Sequence, residues 1–402
     1  MSVAGRLSVM MFLEYVIWGS WLPMLSRYLS DFLGFSGTEI AWVFGTLAIA
    51  SIALLLTGQI ADRYLPPERL LAVSHLVGGA AMLSLPFQKS FGPFFIAMLV
   101  HNLAYVPTLS LTNAICFHHL HDSQRQFGIV RLWGTIGWIA ASWPFILLLR
   151  GKTGAELGSA LTWIFWVAGG ASVVLGLYSL TLPHTPPART GEKNAPLEAI
   201  KFLAVPAFLV LFVVTFMDSM VHACYFFWTG PFLAHIGIPD NWIPAAMSIG
   251  QIAEIATMAS LGFFIKRLGW RRIMIFGILG HAFRFGVYAV GVPSLVVASN
   301  VVHGFCYAFF FASVYIFVDQ YFPKDARASA QGLFNLLILG LGPFLGNLLW
   351  GKLGDVLRTA GGVDYRTLFL VPTGLALLAA ITLAIAFHPP SRPVEEEHIA
   401  TV

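Results

Sequence analysis

Apolar stretches of roughly 17 to 25 residues recur along this chain from its first residues almost to its last. At about 1.5 Å of rise per residue, each is long enough to cross about 30 Å of hydrocarbon as an α-helix. Inside hydrocarbon the backbone finds no water to bond with, so such a stretch folds as a helix that satisfies its own N–H and C=O groups. Composition agrees. Of 402 residues, 57% are hydrophobic and 10% charged, where soluble domains carry about a quarter charged residues. The sequence predicts an all-α integral membrane protein. Its longest polar intervals are a central one, about Pro183 to Lys201, and the tail after Pro389.

Twelve transmembrane helices are predicted, at 8–30, 38–61, 70–89, 92–117, 127–149, 158–181, 203–234, 242–265, 273–291, 294–321, 328–350 and 367–387. With the N-terminus in the cytoplasm, the inner segments gather clusters such as Lys266, Arg267, Arg271 and Arg272. The outer loops hold only Lys89, Arg150, Lys152, Lys352, Arg358 and Arg366. Under the positive-inside rule this asymmetry puts both termini and the central loop in the cytoplasm. It also accounts for the net charge of +4 without a nucleic-acid partner. The first hydrophobic run, behind Arg6, is much longer than a signal-peptide core and reads as a span that stays attached. Cys116, Cys224 and Cys306 lie in or beside apolar segments with no metal-ligand spacing, which makes them small buried hydrophobes.

An even number of spans divided by the most polar loop suggests two six-helix halves: residues 1–182 and 202–388, a central cytoplasmic loop at 183–201 and a cytoplasmic tail at 389–402. An internal echo supports the duplication. "GQIADRYLPPER" follows span 2 and "GFFIKRLGWRR" follows span 8, each with a glycine and then a basic cluster. The first string resembles the loop motif of the major facilitator superfamily, with Gly58, Asp62 and Arg63 at its recognisable positions; the second has Lys266 where the first has Asp62.

Within the spans stand Glu14, Arg27, Arg131, Asp218, Glu254, Arg284 and Asp319. A charge facing lipid at mid-bilayer costs about 3 kcal/mol, so each must snorkel or face inward. Arg27 and Asp319 lie near predicted ends and read as snorkelling. Arg284 is deep enough to need an internal partner, either a structural ion pair or a solute. Glu254, in "MSIGQIAEIATM", must face a cavity or a cation, and Gln251 shares its face one turn earlier. Arg131, in "RLWGTIGW", lines up with Thr135 and Trp138 along one stripe, while Glu14 and Trp18 share a face of span 1 followed by Trp21. Fixed donors and acceptors beside flat aromatic faces suit a small ring-shaped polar solute better than a lipid or a bare ion.

"EYVIWGSWLPML", "AYVPTLSLTNAI", "VRLWGTIGW", "MSIGQIAE", "RFGVYAVGVP" and "RASAQGLFN" resemble, in order and nearly end to end, the corresponding segments of bacterial nucleoside permeases, the nucleoside:proton symporters of the major facilitator superfamily. That resemblance implies proton-driven nucleoside import across the bacterial inner membrane by a monomer without cofactor or metal, and no enzyme activity. It implies substrate contacts by Arg131, Thr135, Trp138, Gln251 and Glu254, with Tyr307 a further candidate; burial of its carboxylate makes Glu254 the expected proton carrier, with Glu14 and Asp218 as alternatives. The chain departs from the family pattern at Ala223 and Phe226, where polar ligands are expected, at Ala308, where an acid is expected, and at Glu14, where a glutamine is expected.

One mechanism these residues allow is competition of a proton and the Arg131 guanidinium for the Glu254 carboxylate. Other readings stay open: a sugar or glycoside as the solute, export of amphipathic drugs, or acyl transfer through the HxxxD spacing of His118 and Asp122 in "HHLHD". The last sits in a brief polar link with no soluble fold to hold an acyl donor.

Overall fold

In a computed structural model of the chain, residues 2–120, 123–186, 199–322 and 327–390 are described. They form long helices joined by short loops, with one two-stranded hairpin in which Arg358–Thr359 pairs with Gly362–Val363. The helices are α1 (Val3–Asp31), α2 (Gly37–Tyr64), α3 (Pro67–Ser84), α4 (Phe91–His119), α5 (Ser123–Ser142) and α6 (Gly154–Ser179). They continue with α7 (Pro206–His235), α8 (Ile243–Val290), α9 (Pro293–Tyr321), α10 (Arg327–Asn335, extended through Gly342–Val356) and α11 (Tyr365–Ala386). Among the described residues, nine segments are long and apolar enough to cross a membrane, and Gly37–Ala53 is a shorter apolar helix.

Where the helices depart from the predicted spans, local chemistry explains it. The span expected at 127–149 stops at Ser142, and a separate turn, Phe145–Leu148, follows Pro144. Proline has no N–H to donate and disfavours helical backbone at the residue before it, and at Pro144 the helix gives way to a separate turn. The spans expected at 242–265 and 273–291 run together as α8, broken at Gly269, whose φ of 74° and ψ of 164° are open only to glycine. α9 and α10 each contain one wider π turn, Tyr307–Ala312 and Leu336–Leu341.

The chain divides into two compact units. The first comprises Met1–Gly191 with Trp228–Ser248. Here α1 lies along α5 and α6, α3 packs on α4 and α6, and α2 on α4. Contact of α1 with α5 is set by small residues: a Cβ on Gly137 would run into the Phe12 carbonyl, and one on Gly19 would lie 2.9 Å from the Trp138 backbone. Arg27, expected to snorkel, is instead 15% exposed and forms ion pairs with Asp31 and, at 2.7 Å, with Asp240.

The second unit comprises Glu192–Phe227 with Ile249–Val402. α9 lies in the bend of α8, touching both arms: Gly250 and Glu254 of the first arm meet His303 and Gly304, while Gly277 and Gly280 of the second meet Phe310 and Cys306. α10 packs on α7 through Gly342 and Gly346, and the Trp350 indole donates to the Met220 carbonyl at 2.7 Å.

Candidate functional site

In the first unit, close approach of α1 and α5 brings two aromatic residues of one helix onto the polar stripe of the other. Arg131, half-buried, sits with its guanidinium carbon 4.2 Å from the centre of the Tyr15 ring, a cation–π contact. Seven residues along α5, Trp138 meets Trp18 edge to face at 5.4 Å. Thr135, also half-buried, lies between. Guanidinium, hydroxyl and indole therefore share one strip with Tyr15 and Trp18.

Glu14 is withdrawn from that strip. Fully buried, its Oε2 takes a hydrogen bond from His75 Nε2 at 2.9 Å and its Oε1 one from the Thr108 hydroxyl at 2.7 Å. His75 Nδ1 meets the Ser172 hydroxyl at 3.1 Å, and the Tyr105 hydroxyl donates to the Glu14 carbonyl at 2.8 Å. One carboxylate thus joins α1, α3 and α4, and through His75 also α6. Trp21 is buried edge-on to His101, which stacks on Tyr105 at 5.5 Å.

In the second unit, Gln251 is buried, with Oε1 unbonded among the described residues, and Glu254 is half-buried one turn later. Close packing of Gly250 on His303, and of Gly304 on the Glu254 backbone, joins them to the start of α9. Tyr307 opens the π turn of α9, a geometry common at functional positions. Ala223 and Ala308 are buried, and Phe226 meets His303 edge to face at 5.7 Å.

Asp218 and Arg284 anchor the polar interior of this unit, and both are fully buried. Asp218 Oδ1 pairs with His281 Nδ1 at 2.8 Å, and His281 Nε2 lies 3.4 Å from His222 Nδ1. Arg284 Nη1 donates to His303 Nδ1 at 2.6 Å, while its guanidinium lies over Tyr225 and Phe285. The partner that Arg284 requires is thus a histidine and two rings. His222 stacks on His303 at 5.0 Å, closing the cluster.

None of these histidines stands out in the sequence, because each is isolated among apolar residues. A signal existed in the paired strings "HNLAY", residues 101–105, and "HGFCY", residues 303–307. Gly58, Asp62 and Arg63 fall on α2, but their side chains lie outside the described residues, as does Asp122 of the HxxxD spacing. His118 is exposed at the end of α4. Among the described residues no group of His, Cys, Asp and Glu is arranged to hold a metal.

Comparison with known proteins identifies the lineage. Residues 1–392 match the family described as nucleoside H+ symporter. The chain is 35% identical to the putative nucleoside transporter YegT of Escherichia coli K12, over 87% of this chain and 84% of that one. It is 32% identical to the xanthosine permease of the same organism, over 100% of this chain and 99% of the other. A crystal structure of a mutant of the nucleoside transporter NupG superposes with a TM-score of 0.88 at 28% identity, covering 96% of this chain and 100% of that one. The chain belongs to the nucleoside H+ symporter family, a family of multi-pass membrane transporters and not of enzymes.

Proposed function

We propose that this protein imports nucleosides together with protons across a bacterial inner membrane by alternating access. It works as a monomer of twelve spans in two six-helix halves, with both termini in the cytoplasm and the two arms of α8 serving as separate spans. The residues that contact the solute are Arg131, Thr135, Trp138, Gln251, Glu254 and Tyr307.

The observation that carries this reading is the half-buried Arg131 guanidinium over Tyr15, beside the Trp18–Trp138 pair. A planar fork of donors next to flat rings suits hydroxyl or carbonyl oxygens on a molecule that also has an aromatic face. Gln251 adds a buried amide oxygen able to accept, and Glu254 a carboxylate for sugar hydroxyls or a ring N–H. Ala223 and Phe226 leave fewer polar ligands on α7 than the family pattern has, which bears on which nucleoside is chosen.

The test is uptake of labelled uridine, adenosine and xanthosine into proteoliposomes, with and without an inward proton gradient, and with unlabelled nucleosides and sugars as competitors. Gradient-dependent uptake blocked by nucleosides and lost in Arg131→Ala supports the reading. Uptake blocked only by sugars would replace it with a sugar or glycoside transporter of the same fold.

A further inference from the structure

Among the described residues, each unit contains a fully buried acid–histidine pair, and the two correspond. Glu14 on α1 pairs with His75, 61 residues later on α3; Asp218 on α7 pairs with His281, 63 residues later on the second arm of α8. The strings "HNLAY" and "HGFCY" stand beside them in the same order, placing His101 and Tyr105 near the first pair and His303 and Tyr307 near the second. The internal duplication is therefore written in the buried polar residues as well as in the loops.

The copies differ in whether they are closed. Both Glu14 oxygens and both His75 nitrogens have partners, supplied by Thr108 and Ser172 besides each other. Every polar atom of that pair is thus engaged by a protein group. Asp218 Oδ2, by contrast, is buried with no hydrogen-bond partner among the described residues, and His281 turns its Nε2 toward half-buried His222.

We propose that the transported proton binds the Asp218–His281 pair and reaches it through His222, while Glu14–His75 is the sealed structural copy. This rests on the symporter reading above and assigns the proton site within it. With Asp218 ionised, His281 Nδ1–H donates to Oδ1, and bare Nε2 of His281 accepts from His222 Nδ1–H. A proton arriving at His222 Nε2 makes it imidazolium. Its Nδ1 proton then passes to His281 Nε2, leaving His222 neutral and an imidazolium beside the Asp218 carboxylate. One proton enters and one positive charge is gained, opposite a fixed negative one. Release reverses the transfer.

Surrounding groups confine the proton to this route. Arg284, permanently charged, donates to His303 Nδ1, so that nitrogen must stay unprotonated. Cys306 from α9 lies against Gly280 and hydrogen-bonds the His281 side chain, and Tyr225 and Tyr307 flank His303 and His222. From the first arm of α8, Gly250 packs on His303 and carries Gln251 and Glu254 on the next turn, which puts solute contacts one layer from His222.

The experiment compares gradient-driven accumulation with counterflow of labelled uridine, adenosine and xanthosine in proteoliposomes. Counterflow exchanges solute without net proton movement, so it reads folding, binding and rocking alone. Asp218→Asn and His281→Gln are expected to keep counterflow and lose accumulation, ending at equal concentrations inside and outside; Glu14→Gln is expected to keep both. Accumulation and solute-dependent proton uptake at wild-type levels in Asp218→Asn would overturn the assignment, as would loss of accumulation with intact counterflow in Glu14→Gln. Should the two buried variants lose counterflow as well, half-buried His222→Gln decides: slowed accumulation with counterflow intact supports the route, and wild-type accumulation overturns it. No uptake of any nucleoside by the wild type would instead contradict the symporter reading itself.

Discussion

Asp218 and His281 meet at 2.8 Å with neither side chain exposed, in a helical unit that also buries Arg284, held by a histidine and two aromatic rings. Burying an ionised group costs several kcal/mol unless it is paired and hydrogen-bonded, so such a cluster persists only where each charge has its counterpart or a task. The sealed Glu14–His75 pair of the other unit shows the structural solution to the same problem.

That contrast predicts how the first unit responds to mutation. His75→Ala removes hydrogen bonds to Glu14 and Ser172, each worth about 1 kcal/mol between helices in a membrane. Because the Glu14 carboxylate is also left buried without its histidine partner, thermal unfolding in detergent should show a loss of about 3 kcal/mol or more, while transport per folded molecule stays near the wild-type level. A drop in transport with unchanged melting would assign His75 a role beyond structure.

At the α1–α5 crossing, Gly137→Ala places a methyl group against the Phe12 carbonyl, a backbone atom that cannot step aside alone. The folded yield and melting temperature should fall clearly. Gly128→Ala, on the same helix with nothing within 4 Å of the added carbon, should melt at or above the wild type. Paired melting curves of the two variants check this.

Replacement of Arg131 by lysine keeps the charge but loses the planar fork and its fit over Tyr15. A charged hydrogen bond of about 1.5 kcal/mol or more is at stake, so KM should rise roughly tenfold. Tyr15→Phe keeps the ring face and should transport nearly as the wild type does. Initial uptake rates across a range of solute concentrations separate these outcomes.

Much of this architecture could be read from the residues, because hydrocarbon leaves the backbone few choices. Lengths of apolar runs marked the helices, and Arg131, Thr135 and Trp138 stood out as a polar stripe that the structure sets beside Tyr15 and Trp18 of α1. Helix ends near Pro144 and Gly269 moved because one residue's backbone chemistry overrides a hydropathy average. Glu14 and Trp18 share a helix face in projection, yet Glu14 turns to His75 and Thr108 while Trp18 stays beside Trp138. Partners on other helices decide that, and helical spacing carries no record of them. The histidines at 222, 281 and 303 were hidden for the same reason: neutral and isolated in sequence, they acquire meaning only when α7, α8 and α9 bring them together.

The most direct measurement is accumulation of labelled nucleosides in proteoliposomes under an imposed inward proton gradient, read alongside Arg131→Ala. Accumulation above the outside concentration that collapses with the gradient, and disappears in the variant, is what this account predicts. A folded protein that equilibrates nucleosides equally well with and without the gradient would contradict it.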